Sequence, residues 1–253
     1  MKRLKIRQWL LSILLACALI VAGCDGSATQ SATSDNVNAV GDPTVSPVAQ
    51  AQNSPMSNLP KLEGKATVEM TVNGSLVTIE VDGTSAPITA GNFIDLVNQG
   101  VYDGVAFHRV VREPQPFVVQ GGDPQSKNPK VPMAQLGTGG FIDPATSQER
   151  YIPLEIQPAG EEQPLYSKTF DEARIKDQPK LKHSRGAVAM ARSRLPDSAS
   201  SQFYFALADL PFLDGSYAVF GYVTEGMDVI DQVQQGDRIE SAKVTAGLDN
   251  LKN

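Results

Sequence analysis

Residues 107–123, FHRVVREPQPFVVQGGD, set a histidine beside an arginine on a short apolar run and add a glutamine further on, with no serine, cysteine or paired carboxylates at a useful spacing. Hydrolytic chemistry needs an activated nucleophile and a base, and the base is most often histidine. Only His108 and His183 exist, and no spacing in the chain pairs either with a serine and an acid. Two histidines also supply a zinc site poorly. Gly137-Thr138-Gly139-Gly140 has the glycines of a phosphate loop but lacks the lysine and helix that should follow. What remains is an arginine among apolar groups. Period-two alternation puts Phe107, Arg109 and Val111 on one strand face with His108 on the other, and groups Val118 with Gln120 on the next run. On 202–206, Gln202 and Tyr204 lie opposite Phe203 and Phe205. If Arg109, Gln120 and Gln202 face one apolar groove, they form a hydrogen-bonding site, neutral to cationic, that suits a peptide backbone.

The elements that must hold such a groove are mostly short strands. ATVEMTVNGSLVTIEVDG, residues 66–83, is two alternating runs around Asn73-Gly74, a dipeptide suited to the positive-φ positions of a type I′ turn, and predicts a hairpin. A helix is predicted from about 87 to 99, with Ile88, Phe93, Leu96 and Val97 on one face, Pro87 in its first turn and Gly100 after its end. A second is predicted at GMDVIDQVQQG, with Met227, Ile230 and Val233 on one side and Gly236 closing it. Between them, 105–111, 117–121, 187–191, 202–206 and 217–223 have β character. Short strands, Gly and Pro turns and two helices point to an antiparallel barrel or sandwich. Two stretches, 123–150 and 157–182, fit neither pattern; loops of this length are uncommon unless functional or flexible.

The N-terminal quarter reads differently. Lys2, Arg3, Lys5 and Arg7 precede an uncharged apolar run, Trp9–Ala22, and Val21-Ala22-Gly23-Cys24 resembles the lipobox of bacterial lipoproteins. The expectation is a signal peptide over 1–23, lipidation at Cys24, and a tether over 24–60. From Asp25 to Pro60 there is no aromatic residue and no Lys or Arg, so too little apolar surface exists to fold. As a coil those residues would span about 30–36 Å. Cys17 would leave with the leader, so no disulfide is expected and the folded part, 61–253, must rest on its core. Removing four of the 22 basic residues and none of the 28 acidic ones takes the formal charge from −6 to −10. That balance argues against nucleic acid as a partner and against an electrostatic hold on anionic lipid.

FHRVV, FVVQGGD, GAVAMARS, SSQFYFALADLPFLDG and YAVFGYVTEGMDVIDQV together follow the order and spacing of the cyclophilin family of peptidyl-prolyl cis-trans isomerases, over about residues 66–245, and resemble its bacterial branch. The resemblance implies a mainly β fold, a closed eight-stranded antiparallel barrel capped by two α-helices. It also implies a monomer that needs no cofactor and acts on proline-containing polypeptides. It makes Arg109 the catalytic residue. Phe117, Val118, Tyr204, Phe212 and Leu213 would form the proline pocket, Gln120, Ala191, Arg192 and Gln202 would bind backbone, and Tyr217 would stand at the rim where many members have histidine. His108 is expected to be a packed, hydrogen-bonded strand residue. An isomerase breaks no σ bond and moves no proton, which explains the missing nucleophile. The competing expectation is a proline-peptide-binding or chaperone module that keeps the groove without useful catalysis.

The sequence departs from the family pattern in three ways. VVREPQPF is about three residues longer than the usual turn before Phe117, which places Arg112 and Glu113 on the groove rim. Phe212 replaces a common tryptophan, removing an indole donor, so weak cyclosporin binding is expected. Tyr204 replaces a common phenylalanine, bringing a hydroxyl near the pocket, and Arg192 stands where asparagine is common.

Overall fold

The computed structural model describes residues 56–252. The expected signal peptide, Cys24 and the tether as far as residue 55 lie outside the described residues. Eight strands form one antiparallel sheet: β1 (Lys65–Val72), β2 (Ser75–Asp82), β3 (Arg109–Val111), β4 (Val118–Gly121), β5 (Ala187–Met190), β6 (Phe203–Ala206), β7 (Val219–Glu225) and β8 (Ile239–Ala246). Their order is β8-β1-β2-β7-β5-β6-β4-β3. The β1–β2 hairpin pairs in continuous register from Lys65↔Asp82 to Val72↔Ser75, and its turn takes Asn73 at φ 52° and Gly74 at φ 72°. Those positive angles are what Asn-Gly supplies at low cost.

The barrel is less closed than expected. β3 and β8 are the sheet's edges, and they meet only where the chain before β3 bridges the start of β8, at Ala106↔Arg238. Four backbone hydrogen bonds flank this seam: Gly104 N to Ile239 O, Ile239 N to Val105 O, Phe107 N to Asp237 O and Gly236 N to Phe107 O. A half-barrel with a short seam describes it better than a closed ladder. β8 itself had no counterpart among the predicted runs. Its sequence, IESAKVTA, buries only Ile239 and Ala242, and it pairs with β1 through two register shifts.

Helix α1 (Pro87–Asn98) fits its prediction, with Gly100 at φ 68° after its end. Its N-cap, Ala86, has no side chain to cap with. Glu155 does so from a distant loop, accepting from Ile88 N at 3.2 Å and Thr89 N at 2.7 Å. The favourable N-terminal end of a helix dipole meets a buried carboxylate there. Burial still pushes that carboxyl above its ordinary range, against the pull of the two N–H groups. A single turn, α2 (Phe170–Ala173), carries a Thr169/Glu172 capping box inside the second long loop. Helix α3 (Met227–Gln232) stops short of Gly236 because Val233 turns extended, at ψ 129°, yet Ile230 and Val233 are both fully buried.

Packing follows the two faces of the sheet. Val68, Met70, Ile79, Val119, Phe203, Phe205 and Phe220 point inward and join Phe93, Leu96 and Tyr102 in the main core. Val118, Ala189, Tyr204, Ala206 and Val219 form a second cluster on the outer face, roofed by Leu210, Leu213 and Tyr217. The alternation expected at 107–109 breaks, because β3 starts only at Arg109: Phe107 belongs to the main core while Arg109 is exposed.

Residues that composition assigned to the tether are also packed. Leu59 is 5% exposed and part of the core, and Pro60 is buried. Gly91 in α1 permits this, since a Cβ there would lie 2.4 Å from Pro60 O. Lys61–Leu62 then pairs with Leu251–Lys252, so the two ends of the described chain lie side by side.

The long loops are built rather than loose. Asp123, fully buried, accepts from Gln125 N, Gly137 N and Gly139 N, which folds 123–139 back on itself. Further on, Ile142–Asp143 pairs with Gln148–Glu149, and Arg150 reaches Asp95, Asn92 and Asp143 while covering the Phe141 ring at 4.7 Å. In the second loop, Glu155–Ile156 pairs with Leu165–Tyr166, and Pro158 bridges Pro179.

Candidate active site

Strand register brings the predicted residues together. Arg109 lies opposite Gln120, Gln120 opposite Tyr204, and Tyr204 opposite Ala189, so one row crosses four strands on the outer face. The insertion before Phe117 leaves this register intact. Phe117 N donates to Val111 O at 3.0 Å, closing the β3–β4 hairpin, and residues 113–116 loop outward, exposed. Arg112 does not sit on the groove rim as expected. Its guanidinium turns to the Ile230 carbonyl of α3, at 3.1 Å.

A pocket of about 200 Å³ opens on this row. Val118, Tyr204 and Leu213 give it an apolar floor, Phe117 and Tyr217 its sides, and Arg109, Gln120, Ala191 and Arg192 its polar edge. Two predicted residues stand just outside. Phe212 is 69% exposed and stacks on Phe117, with ring centroids 6.0 Å apart. Gln202 lies behind Gln120 and lines an adjoining depression.

The polar edge is a chain of donors with one direction. Arg109 Nη1 donates to Gln120 Oε1 at 3.2 Å, Gln120 Nε2 to Gln202 Oε1 at 3.1 Å, and Gln202 Nε2 to Gly139 O at 2.8 Å. A cation at one end and a backbone carbonyl at the other fix which way both carboxamides point. This gives the Gly137–Gly140 stretch a role its sequence did not reveal: its backbone, held by Asp123, terminates the chain. Arg109 also lies over the Phe117 ring, 5.4 Å from the centroid, and has no carboxylate within ion-pair distance among the described residues. Its remaining N–H groups are free to meet a ligand.

Arg192 is placed differently from a backbone-binding group. Nε and Nη2 donate to Ser216 O at 3.0 and 2.7 Å, and Nη1 donates to Ser193 O at 3.0 Å and Arg194 O at 3.3 Å. With its guanidinium 4.7 Å from the Tyr217 centroid, it braces the two loops that flank the pocket. Ala191 N donates to Gln202 O at 2.9 Å, leaving its carbonyl for a ligand.

Sequence reasoning missed one constellation. His183 Nδ1 meets Asp214 Oδ1 at 2.8 Å, and Nε2 meets the Tyr204 hydroxyl at 2.9 Å. A carboxylate partner fixes the proton on Nδ1, so Nε2 accepts and the tyrosine donates. Burial holds His183 below the ordinary histidine range, although Asp214 opposes this, and the same burial raises the phenol. Tyr204 is therefore a neutral, anchored floor, with its hydroxyl turned to His183. Separations of 31 and 21 residues gave no local signal of this contact. His108 corrects another expectation. It is packed, 7% exposed, beneath Gly137, but neither ring nitrogen has a hydrogen-bond partner among the described residues.

Comparison with known proteins agrees with this architecture. The family of cyclophilin type peptidyl-prolyl cis-trans isomerases matches residues 67–250. The chain belongs to the cyclophilin family. A Helicobacter pylori protein named a peptidyl-prolyl cis-trans isomerase is 32% identical, over 74% of this chain and 93% of its own. A Synechocystis protein named for the thylakoid lumen and for the same activity is 45% identical over 78% of this chain, and a chloroplastic isomerase of Arabidopsis thaliana is 40% identical over 78%. The chain spans about half the length of these two relatives, 51% and 46%. The crystal structure of a cyclophilin from Cryptosporidium parvum superposes with a TM-score of 0.53 at 22% identity, covering 72% of this chain and 98% of that one, which supports the fold.

Proposed function

We propose that this cyclophilin catalyses cis-trans isomerisation of Xaa-Pro bonds, with Arg109 as the catalytic residue and the outer-face pocket holding the proline ring. The observation that carries the reading is the one-way donor chain from Arg109 to Gly139 O, which holds a guanidinium with free N–H groups beside an apolar floor. The barrier to rotation, about 18–20 kcal/mol, comes from amide resonance. As the C–N bond twists, the nitrogen lone pair leaves conjugation and can accept a hydrogen bond, so a fixed donor favours the twisted state over the planar one. Arginine suits this because it stays charged and presents a planar fork.

Magnitudes divide the work. An uncatalysed rate of roughly 0.01 s⁻¹ and a turnover of roughly 100–1,000 s⁻¹ require about 5.5–7 kcal/mol off the barrier. One charge-assisted hydrogen bond contributes about 1.5–3 kcal/mol. The remainder falls to orientation: Val118, Tyr204 and Leu213 seat the ring while the Gln120 amide and the Ala191 carbonyl grip the flanking chain.

The same reading places the enzyme outside the cytoplasm, lipid-anchored through Cys24, where it assists the folding of exported proteins. Support comes from the basic and apolar leader, from the lipobox-like Val21–Cys24 and from relatives named for the thylakoid lumen and chloroplast. The deciding experiment follows isomerisation of an Xaa-Pro peptide at low temperature with the wild-type chain and with Arg109→Ala. Acceleration that falls at least tenfold in the variant is the expected result. Proline-peptide binding without acceleration would replace the enzyme with a binding module.

A further inference from the structure

Three depressions adjoin one another around Arg192 on the outer face. The proline pocket shares Gln120, Ala191 and Arg192 with one of about 410 Å³. It shares Arg192, Leu213 and Tyr217 with one of about 570 Å³. The second is the more informative. Arg192 and Arg194 are its only charged lining groups, and exposed Phe212 forms its apolar flank. Arg192 is spent on the carbonyls of Ser193, Arg194 and Ser216. Arg194 is exposed and makes no side-chain hydrogen bond or ion pair among the described residues.

These cations run against the charge of the molecule, which is −6 overall. Arg150 and Arg185 are paired with aspartates, whereas Arg109 and Arg194 have no carboxylate partner among the described residues. Two carboxylates beside these depressions already accept hydrogen bonds. Glu172 feels Arg192, but its oxygen accepts from Thr169 N and Oγ1 in the capping box. Glu149, on the 410 Å³ depression, accepts from the Tyr151 hydroxyl. Beyond about 8–10 Å salt screens the acidic surface, so a bound segment feels the arginines beside it more than the net charge.

We propose that the Arg194 depression selects proline segments carrying an acidic side chain close to the proline, with Phe212 covering the aliphatic part of the same segment. This rests on the reading of the adjoining pocket as the proline site. A carboxylate there meets the Arg194 guanidinium, whose planar fork suits it, with the positive charge of Arg192 beside it. Rim charges act mainly on the association rate and are sensitive to salt. One partly exposed pair, with a second cation beside it, corresponds to a preference of about two- to tenfold at low ionic strength.

The test uses the full chain and Ala-Pro peptides in which Glu, Gln or Lys is placed at each of three positions on either side of the proline. The readout is the Glu-to-Gln ratio of kcat/KM, taken on one protein so that any loss of folded enzyme cancels. The expected result is a ratio of about two to ten on one side of the proline, which falls toward one at about 0.5 M salt and drops below one in Arg194→Glu. A ratio at or below one at every position, with Gln peptides turned over normally, overturns this inference and leaves the isomerase standing. If no peptide is turned over, the isomerase reading fails. The ratio of peptide affinities, measured by fluorescence anisotropy, then decides the acidic preference by the same criterion.

Discussion

The two faces of strand β6 carry different burdens. Phe203 and Phe205 point into the barrel, where Phe203 meets Phe93, Tyr102 and Phe205 edge-on at centroid separations of 5.1–5.5 Å. Tyr204, between them, points outward to the pocket and is tied to His183. The inner face is held by dispersion and aromatic geometry, with a single buried hydrogen bond from the Tyr102 hydroxyl to Ser201 O at its end. The outer face rests on small residues, Ala189 and Ala206, and a directional set of hydrogen bonds. A strand can therefore divide stability from chemistry one residue at a time, because successive side chains point to opposite sides.

Phe203→Ala should give the largest effect, a loss of about 3–5 kcal/mol in urea unfolding, since it empties an aromatic cluster with little room to collapse. Arg109→Ala should do the reverse. Its kcat/KM should fall by about ten- to 150-fold, the equivalent of 1.5–3 kcal/mol, while the urea midpoint moves by about 0.5 kcal/mol or less. A parallel fall in stability would break the division between the faces.

The pH dependence probes the border between them. Desolvation, with help from Arg109, keeps buried His108 below 6.5, against the pull of Asp123, and His183 shares the direction. The unfolded chain takes up these protons at higher pH than the folded one. The stability contributed by the neutral rings is thus full above about pH 6.5 and is lost as pH falls toward their folded pKa values, by up to about 1.4 kcal/mol per unit for each ring. His108→Leu should remove one of these contributions, which melting curves between pH 7 and 5 would show as a shallower slope. Gln202→Leu should have the smallest effect on turnover, a loss of about fivefold in kcat/KM, as it removes the hydrogen bonds to Gln120 and Gly139 O without touching the guanidinium itself. If it equals Arg109→Ala, the donor chain acts as a unit.

Much of this was legible in the sequence, for local reasons. The Asn73-Gly74 hairpin, helix α1 and the β character of 105–111 and 117–121 follow from turn chemistry and apolar pattern, and the family motifs pointed to the candidate groove. What escaped was non-local or weakly patterned. β8 is too polar to read as a strand because its neighbours, not its own side chains, hold it. Glu155 caps a helix 67 residues away, and Asp214, His183 and Tyr204 meet only when three segments converge. Arg112 looked like a groove residue because the sequence does not show that residues 113–116 leave the ladder while Arg112 turns to α3. The run AVAM is apolar and buried throughout, so no alternation of polarity marked which of its faces borders the groove.

The clasp of Lys61–Leu62 on Leu251–Lys252 makes the described chain almost a ring. A short linker from Lys252 to the residues that precede Lys61 would close it, and new ends could be cut within exposed 113–116 without interrupting any pairing of the eight-stranded sheet. The order in which the strands occur along the chain is thus separable from the order in which they lie in the sheet, and only the second is needed to set Arg109 against Gln120.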